Sequence, residues 1–224
     1  MTHCRTVFST AILVSTLLLS TVTTAQDRHF PLNHRQPTGM AGRWSLLTHP
    51  QKAGVSQPVE IQLPSAGHVT YFQGSPQNAV LTQSPSKVGM MVGHTYRVRI
   101  SGMPEFPGAE LYPTIEVLDR LHAPNGLEKS YPIPVEITAG EIEIVLQDRM
   151  VTKVIYLEQP DLAAPFAQGE RIRTEDLKVT ENLLRAADER GRPMAILRIG
   201  GRIPDPNSPV DPFYSTSPIA IPQQ

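Results

Sequence analysis

The sequence predicts a mainly β fold: a β-sandwich-like domain with a small C-terminal helix-plus-strand extension and disordered, Pro-rich ends. Three observations carry this. Short runs alternate apolar with polar residues and are separated by Gly, Pro, Asn and Ser clusters, which is the pattern of half-buried strands joined by turns. Proline is abundant, 22 of 224 residues, and proline is excluded from helix interiors and favoured in turns and edges. Only one stretch, Thr174 to Arg190, has the composition of a long helix.

Taken in order, residues 1–25 read as a signal peptide. His3 and Arg5 form a weakly positive start, Ala11-Ile-Leu-Val14 and Leu17-Leu-Leu19 an apolar centre, and Thr21-Val-Thr-Thr-Ala25 a small-residue cleavage region. Ser15, Thr16 and Ser20 interrupt the apolar run, which falls short of the roughly 20 residues a spanning helix needs. The single cysteine, Cys4, precedes the apolar centre, so the exported chain has no disulfide and no lipidated cysteine. No other segment is apolar enough to cross a membrane. Residues 26–54, with Pro31, Pro37, Gly39, Gly42, Pro50 and Gly54 and no sustained period, read as an extended N-terminal arm.

From Val55 the strands begin. Val59, Ile61 and Leu63 alternate with Glu60 and Gln62, Pro64-Ser-Ala-Gly67 turns, and His68-Val-Thr-Tyr-Phe72 follows. Ala79 to Thr82, Val88 to Val92 and Tyr96-Arg-Val-Arg-Ile100 continue the series, as do Leu111 to Leu118, Ile133 to Ile137 and Met150 to Leu157. Thr138-Ala-Gly-Glu141 matches a capping box, with Ile142, Val145 and Leu146 on one helical face, while Glu141-Ile-Glu-Ile144 argues equally for a strand. After the helix at 174–190, Gly191 and Pro193 stop it and Met194 to Ile199 reads as a strand. Domains are thus expected at 55–160 (the sandwich) and 161–201 (the extension). Residues 202–224, with Pro204, Pro206, Pro209, Pro212, Pro218 and Pro222, read as a disordered tail.

Charge excludes some partners. Lys plus Arg number 20 and Asp plus Glu 21, with no long run of either sign, so nucleic acid and anionic lipid lack an electrostatic case. No phosphate loop, dinucleotide fingerprint or nucleophile elbow occurs.

The densest chemistry is Glu110, Glu116, Asp119, Arg120 and His122. Glu110 and Glu116 share parity in a strand, the minimum for paired carboxylates, and His122 could serve as base or metal ligand. A charged solvent face, its turn tied by Asp119 to Arg120 or His122, fits the same residues. His29, His34, Met40 and His49 in the arm, and Met90, Met91 and His94 near a strand end, raise metal binding through His122, His94, Met90 and Met91. Their spacings match no tight ligand motif, and methionines in strands commonly fill core. Aromatic residues are sparse, but Tyr71, Phe72, Tyr96 and Tyr112 could form a small stacking platform or else sandwich core.

The segments Glu110-Leu-Tyr-Pro-Thr-Ile-Glu-Val-Leu-Asp-Arg-Leu-His122, Pro132-Ile-Pro-Val135, Val151-Thr-Lys-Val-Ile-Tyr-Leu-Glu158 and Arg192-Pro-Met-Ala-Ile-Leu-Arg-Ile-Gly-Gly201 resemble a group of uncharacterised exported bacterial proteins over roughly residues 95–202. The resemblance implies an envelope or secreted setting and transfers no catalytic residue. The expectation is a non-catalytic binding or structural module of the cell envelope, whether periplasmic or secreted, that meets a protein or wall polymer. The alternatives are a hydrolase built on the 110–122 cluster and a metal-binding envelope protein. No cofactor is indicated.

Overall fold

Alternation decides which side of each strand is buried, and here it produces two sheets facing one another. The computed structural model describes residues 33–159, 174–205, 207, 213, 214, 219 and 220. The expected signal peptide, segment 160–173 and much of the tail lie outside them. One sheet holds β1 (Ser56–Gln62), β4 (Ser86–Met91), β7 (Ile133–Glu136) and β10 (Ile219–Ala220) in the order β10-β4-β1-β7. The other holds β2 (His68–Phe72), β3 (Ala79–Gln83), β5 (Thr95–Ser101), β6 (Thr114–Val117), β8 (Val151–Glu158) and β9 (Gly191–Ile199) in the order β3-β2-β5-β6-β9-β8. Every pairing is antiparallel except β1 with β7, where Val59 lies beside Ile133.

The inner faces form the core. Val59, Ile61, Val88 and Met90 of the smaller sheet pack with Val69, Val98, Ile115 and Leu197 of the larger. Each such side chain contributes about 1.5 to 3 kcal/mol by leaving water. Two tyrosines join the layers. Tyr71 on β2 donates its hydroxyl to Ser86 Oγ on β4 at 2.8 Å, and Tyr96 on β5 accepts from the Met91 amide at 2.7 Å. Burial pushes both phenols up to about 12, because the apolar interior opposes phenolate.

Three helices accompany the sheets among the described residues: α1 (Met40–Thr48), α2 (Ala139–Leu146) and α3 (Leu183–Arg190). The helix alternative at 139–146 is the one realised. Thr138 Oγ1 accepts from the Glu141 amide and the Glu141 side chain accepts from the Thr138 amide, while Ile142 and Val145 are buried. The expected helix over 174–190 is shorter, since Asn182 caps it by accepting from the Leu184 and Arg185 amides. A capping Asn competes with continuation through its own backbone, and β-branched Val179 and Thr180 precede it.

The extended arm requires a correction, because Met40 to Thr48 is helical. No side chain of the arm caps it and its first turn carries no acid, so local signals are missing and the helix is fixed by contacts from β6. The C-terminal helix-plus-strand appears as α3 and β9, with β9 inserted between β6 and β8. In the tail, β10 pairs with β4 and Phe213 is buried. No helix among the described residues is long and apolar enough to cross a membrane.

Candidate binding face

The sequence candidates fall to separate partners. Glu116, on the outer side of β6, is wholly enclosed: Oε1 accepts from the Gly42 amide at 2.7 Å and Oε2 from Arg198 Nη1 at 3.0 Å. Gly42 sits so close to the Gly93 carbonyl that a Cβ there would lie 2.8 Å from it, which is why glycine is needed at this third residue of α1. Asp119 is held by Lys52 Nζ at 2.9 Å, by Arg192 Nε at 3.6 Å and by the Arg120 amide at 2.8 Å. Glu110 is exposed, 3.6 Å from Arg99 Nη1, and accepts from the Tyr112 hydroxyl at 3.2 Å. His122 is exposed. These residues do not share a cavity that the structure describes.

The metal candidates are likewise dispersed. Met90 is fully buried in the core, Met91 packs against it half-buried, and His94 Nδ1 is 3.1 Å from its neighbour Val92's carbonyl. Among the described residues no group of three or more His, Cys, Asp or Glu side chains could hold a metal ion. His29 lies outside them. An open cleft of about 320 Å³, lined by Gln62, Leu63, Ser65, Ala66, Ser84 and Pro85, carries no ionisable side chain.

Chemistry concentrates instead on the outer face of the larger sheet. Because Tyr96, Val98 and Ile100 point inward, Arg97 and Arg99 must point outward. Register sets their neighbours: Arg97 lies beside Thr114, Thr114 beside Arg198, and Arg99 beside Thr70. One part of this face is covered by α1 and α3, where Ala41, Leu184 and Leu118 close over Ile196. Another part, over β2 and β5, receives two residues of the tail.

There Phe213 is 3% exposed. The Arg97 guanidinium stacks on its ring at 4.0 Å while Arg97 Nη1 donates to its carbonyl at 2.9 Å. Tyr112 meets the ring edge-on at 5.2 Å between centroids, and Tyr214 packs edge-on against Phe72 at 4.7 Å. Such stacking contributes about 0.5 to 2 kcal/mol for the cation and about 0.5 to 1.5 kcal/mol for each aromatic pair. Arg99 is less well served. Its Nη2 reaches Thr70 Oγ1 only at 3.4 Å, and its buried Nε has no partner. Burial, reinforced by the Glu110 carboxylate, raises the Tyr112 phenol above its ordinary range.

Comparisons with protein-family models, curated proteins and solved structures find no match. The face's own chemistry therefore carries the argument. It offers flat guanidinium and aromatic surfaces suited to holding a ring and a backbone carbonyl. Of the four aromatics singled out in the sequence, Phe72 and Tyr112 belong to this face and Tyr71 and Tyr96 to the core. Arg97, Arg99, Phe213 and Tyr214 were missed. The two arginines were available from strand alternation, and Phe213-Tyr214 from being the only aromatic residues in residues 202–224.

Proposed function

We propose that the chain is an exported, non-catalytic binding module of the cell envelope, whose working surface is the outer face of the larger sheet. The observation that carries this reading is the seat of Phe213 between Arg97 and Tyr112, a surface that holds a chain segment by its ring and its carbonyl. The export half is supported by the three-part layout of residues 1–25. A hydrolase would need Glu110 or Glu116 together with Asp119 and His122 around one space, and here Glu116 is engaged by Gly42 and Arg198 while Asp119 is engaged by Lys52 and Arg192. The partner is a protein or a wall polymer presenting an aromatic or planar group.

Site-specific photo-crosslinking in cells tests the working surface. A photo-reactive residue replacing Tyr112 is expected to yield adducts of higher mass, while one replacing Glu143, exposed on α2, yields none. Equal yields from both positions, or none from Tyr112, would overturn the assignment. Export is read from the N-terminus of the protein recovered from the envelope, expected at Gln26; an intact Met1 on protein confined to the cytoplasm removes that half.

A further inference from the structure

We infer that Phe213-Tyr214 is an internal ligand of this face, displaced when the module engages an acidic, aromatic-bearing peptide segment of its partner. The inference rests on the working-surface reading above and names the partner's chemistry. Three observations lead to it. First, what the tail offers is what a peptide ligand offers: a ring for Arg97 to stack on and a carbonyl for Arg97 Nη1 to grip. Second, the charges are complementary. Residues 203–224 contain Asp205 and Asp211 and no Lys or Arg, while the face presents Arg97 and Arg99, with Arg202 5.7 Å from the Phe213 ring. Third, the seat is imperfectly filled. Arg99 Nε is buried without a partner and Arg99 meets Glu110 only at 3.6 Å, so a ligand carboxylate could take up donors that the tail leaves unused.

The tail's advantage is its tether. Residues 200–212 join the end of β9 to Phe213, and a short tether presents its ligand at an effective concentration of the order of millimolar. A free peptide with the same contacts therefore competes poorly until the tail is released. A partner with a carboxylate placed for Arg99 gains what the tail lacks.

The test uses the full chain and a fluorescent peptide with the sequence of residues 205–217. Wild type is compared with the double variant Phe213→Ala, Tyr214→Ala by fluorescence anisotropy. The variant is expected to melt cooperatively and to bind the peptide at least about tenfold more tightly than wild type. Adding Arg97→Ala should abolish that binding, and a peptide with alanine in place of its phenylalanine should not compete. Equal binding by both chains, or none by a cooperatively melting variant, overturns the inference.

A variant that loses cooperative melting also overturns it, since Phe213 would then be core. Hydrogen exchange on wild type gives the same answer without a variant: the Phe213 and Tyr214 amides should exchange through a local opening well before the amides of β5, and exchange only on global unfolding refutes displacement. Tyr112 adducts in cells without peptide binding would retain the working surface and remove the internal ligand.

Discussion

Tyr71 and Tyr96 show how a single side chain can serve two sheets. Each ring fills core and each hydroxyl meets β4, so neither layer can move without breaking a buried hydrogen bond. Their protonation links stability to pH. Both phenols titrate at about 12 in the fold against 10.0 in the unfolded chain. The folded state therefore retains its protons longer; the contribution is complete below pH 10 and is lost as pH rises through 12. Urea unfolding at a series of alkaline pH values should show stability falling across that interval. Tyr71→Phe should flatten part of the fall while lowering stability near neutrality by about 1 kcal/mol through the lost Ser86 bond. An unchanged alkaline slope would contradict the assignment. The sequence put these tyrosines in strands of alternating pattern, yet nothing local told which aromatics would face inward together; that follows from how the two sheets are layered.

At the scale of elements, legibility tracks how local the cause is. Strands such as Tyr96 to Ile100 were readable because the inward parity is written in consecutive residues, and α2 because its capping box spans only Thr138 to Glu141. Leu111 to Leu118 narrowed to β6, Thr114–Val117, with an isolated bridge from Leu111 to Ile100, because Pro113 has no amide to give a ladder.

Helix α1 was illegible for the opposite reason: its N-terminal amide finds its acceptor, Glu116, on a strand more than seventy residues away. A carboxylate there also meets the positive end of the helix. Removing it leaves the buried Arg198 without a carboxylate, so Glu116→Ala should destabilise the protein by about 3 to 5 kcal/mol. Arg198→Ala should cost a similar amount, and the double variant Glu116→Ala, Arg198→Ala less than the sum, since no charge is then orphaned. Denaturant melts of the three variants give these values, and strict additivity would show that the pair is not coupled. The candidate site was partly hidden for the same reason as α1. Glu116 was visible as a carboxylate on a strand, but its neutralisation by Arg198 depends on β9 lying next to β6.

For the molecule as a whole, the parallel pairing of β1 with β7 and the insertion of β9 between β6 and β8 have a consequence in time. Val59 must find Ile133, and Thr114 must find Arg198, so neither sheet can be completed until distant parts of the chain have been made and brought together. Proteins dominated by such distant pairings fold in roughly milliseconds to seconds rather than microseconds. Trp44, the only tryptophan, lies on α1 and is 40% exposed, so its fluorescence should follow the docking of that helix in stopped-flow refolding. A dominant sub-millisecond phase would refute the expectation. A polypeptide that closes this late stays open while it is being made, and until its last strand arrives its unpaired edges are exposed to other chains.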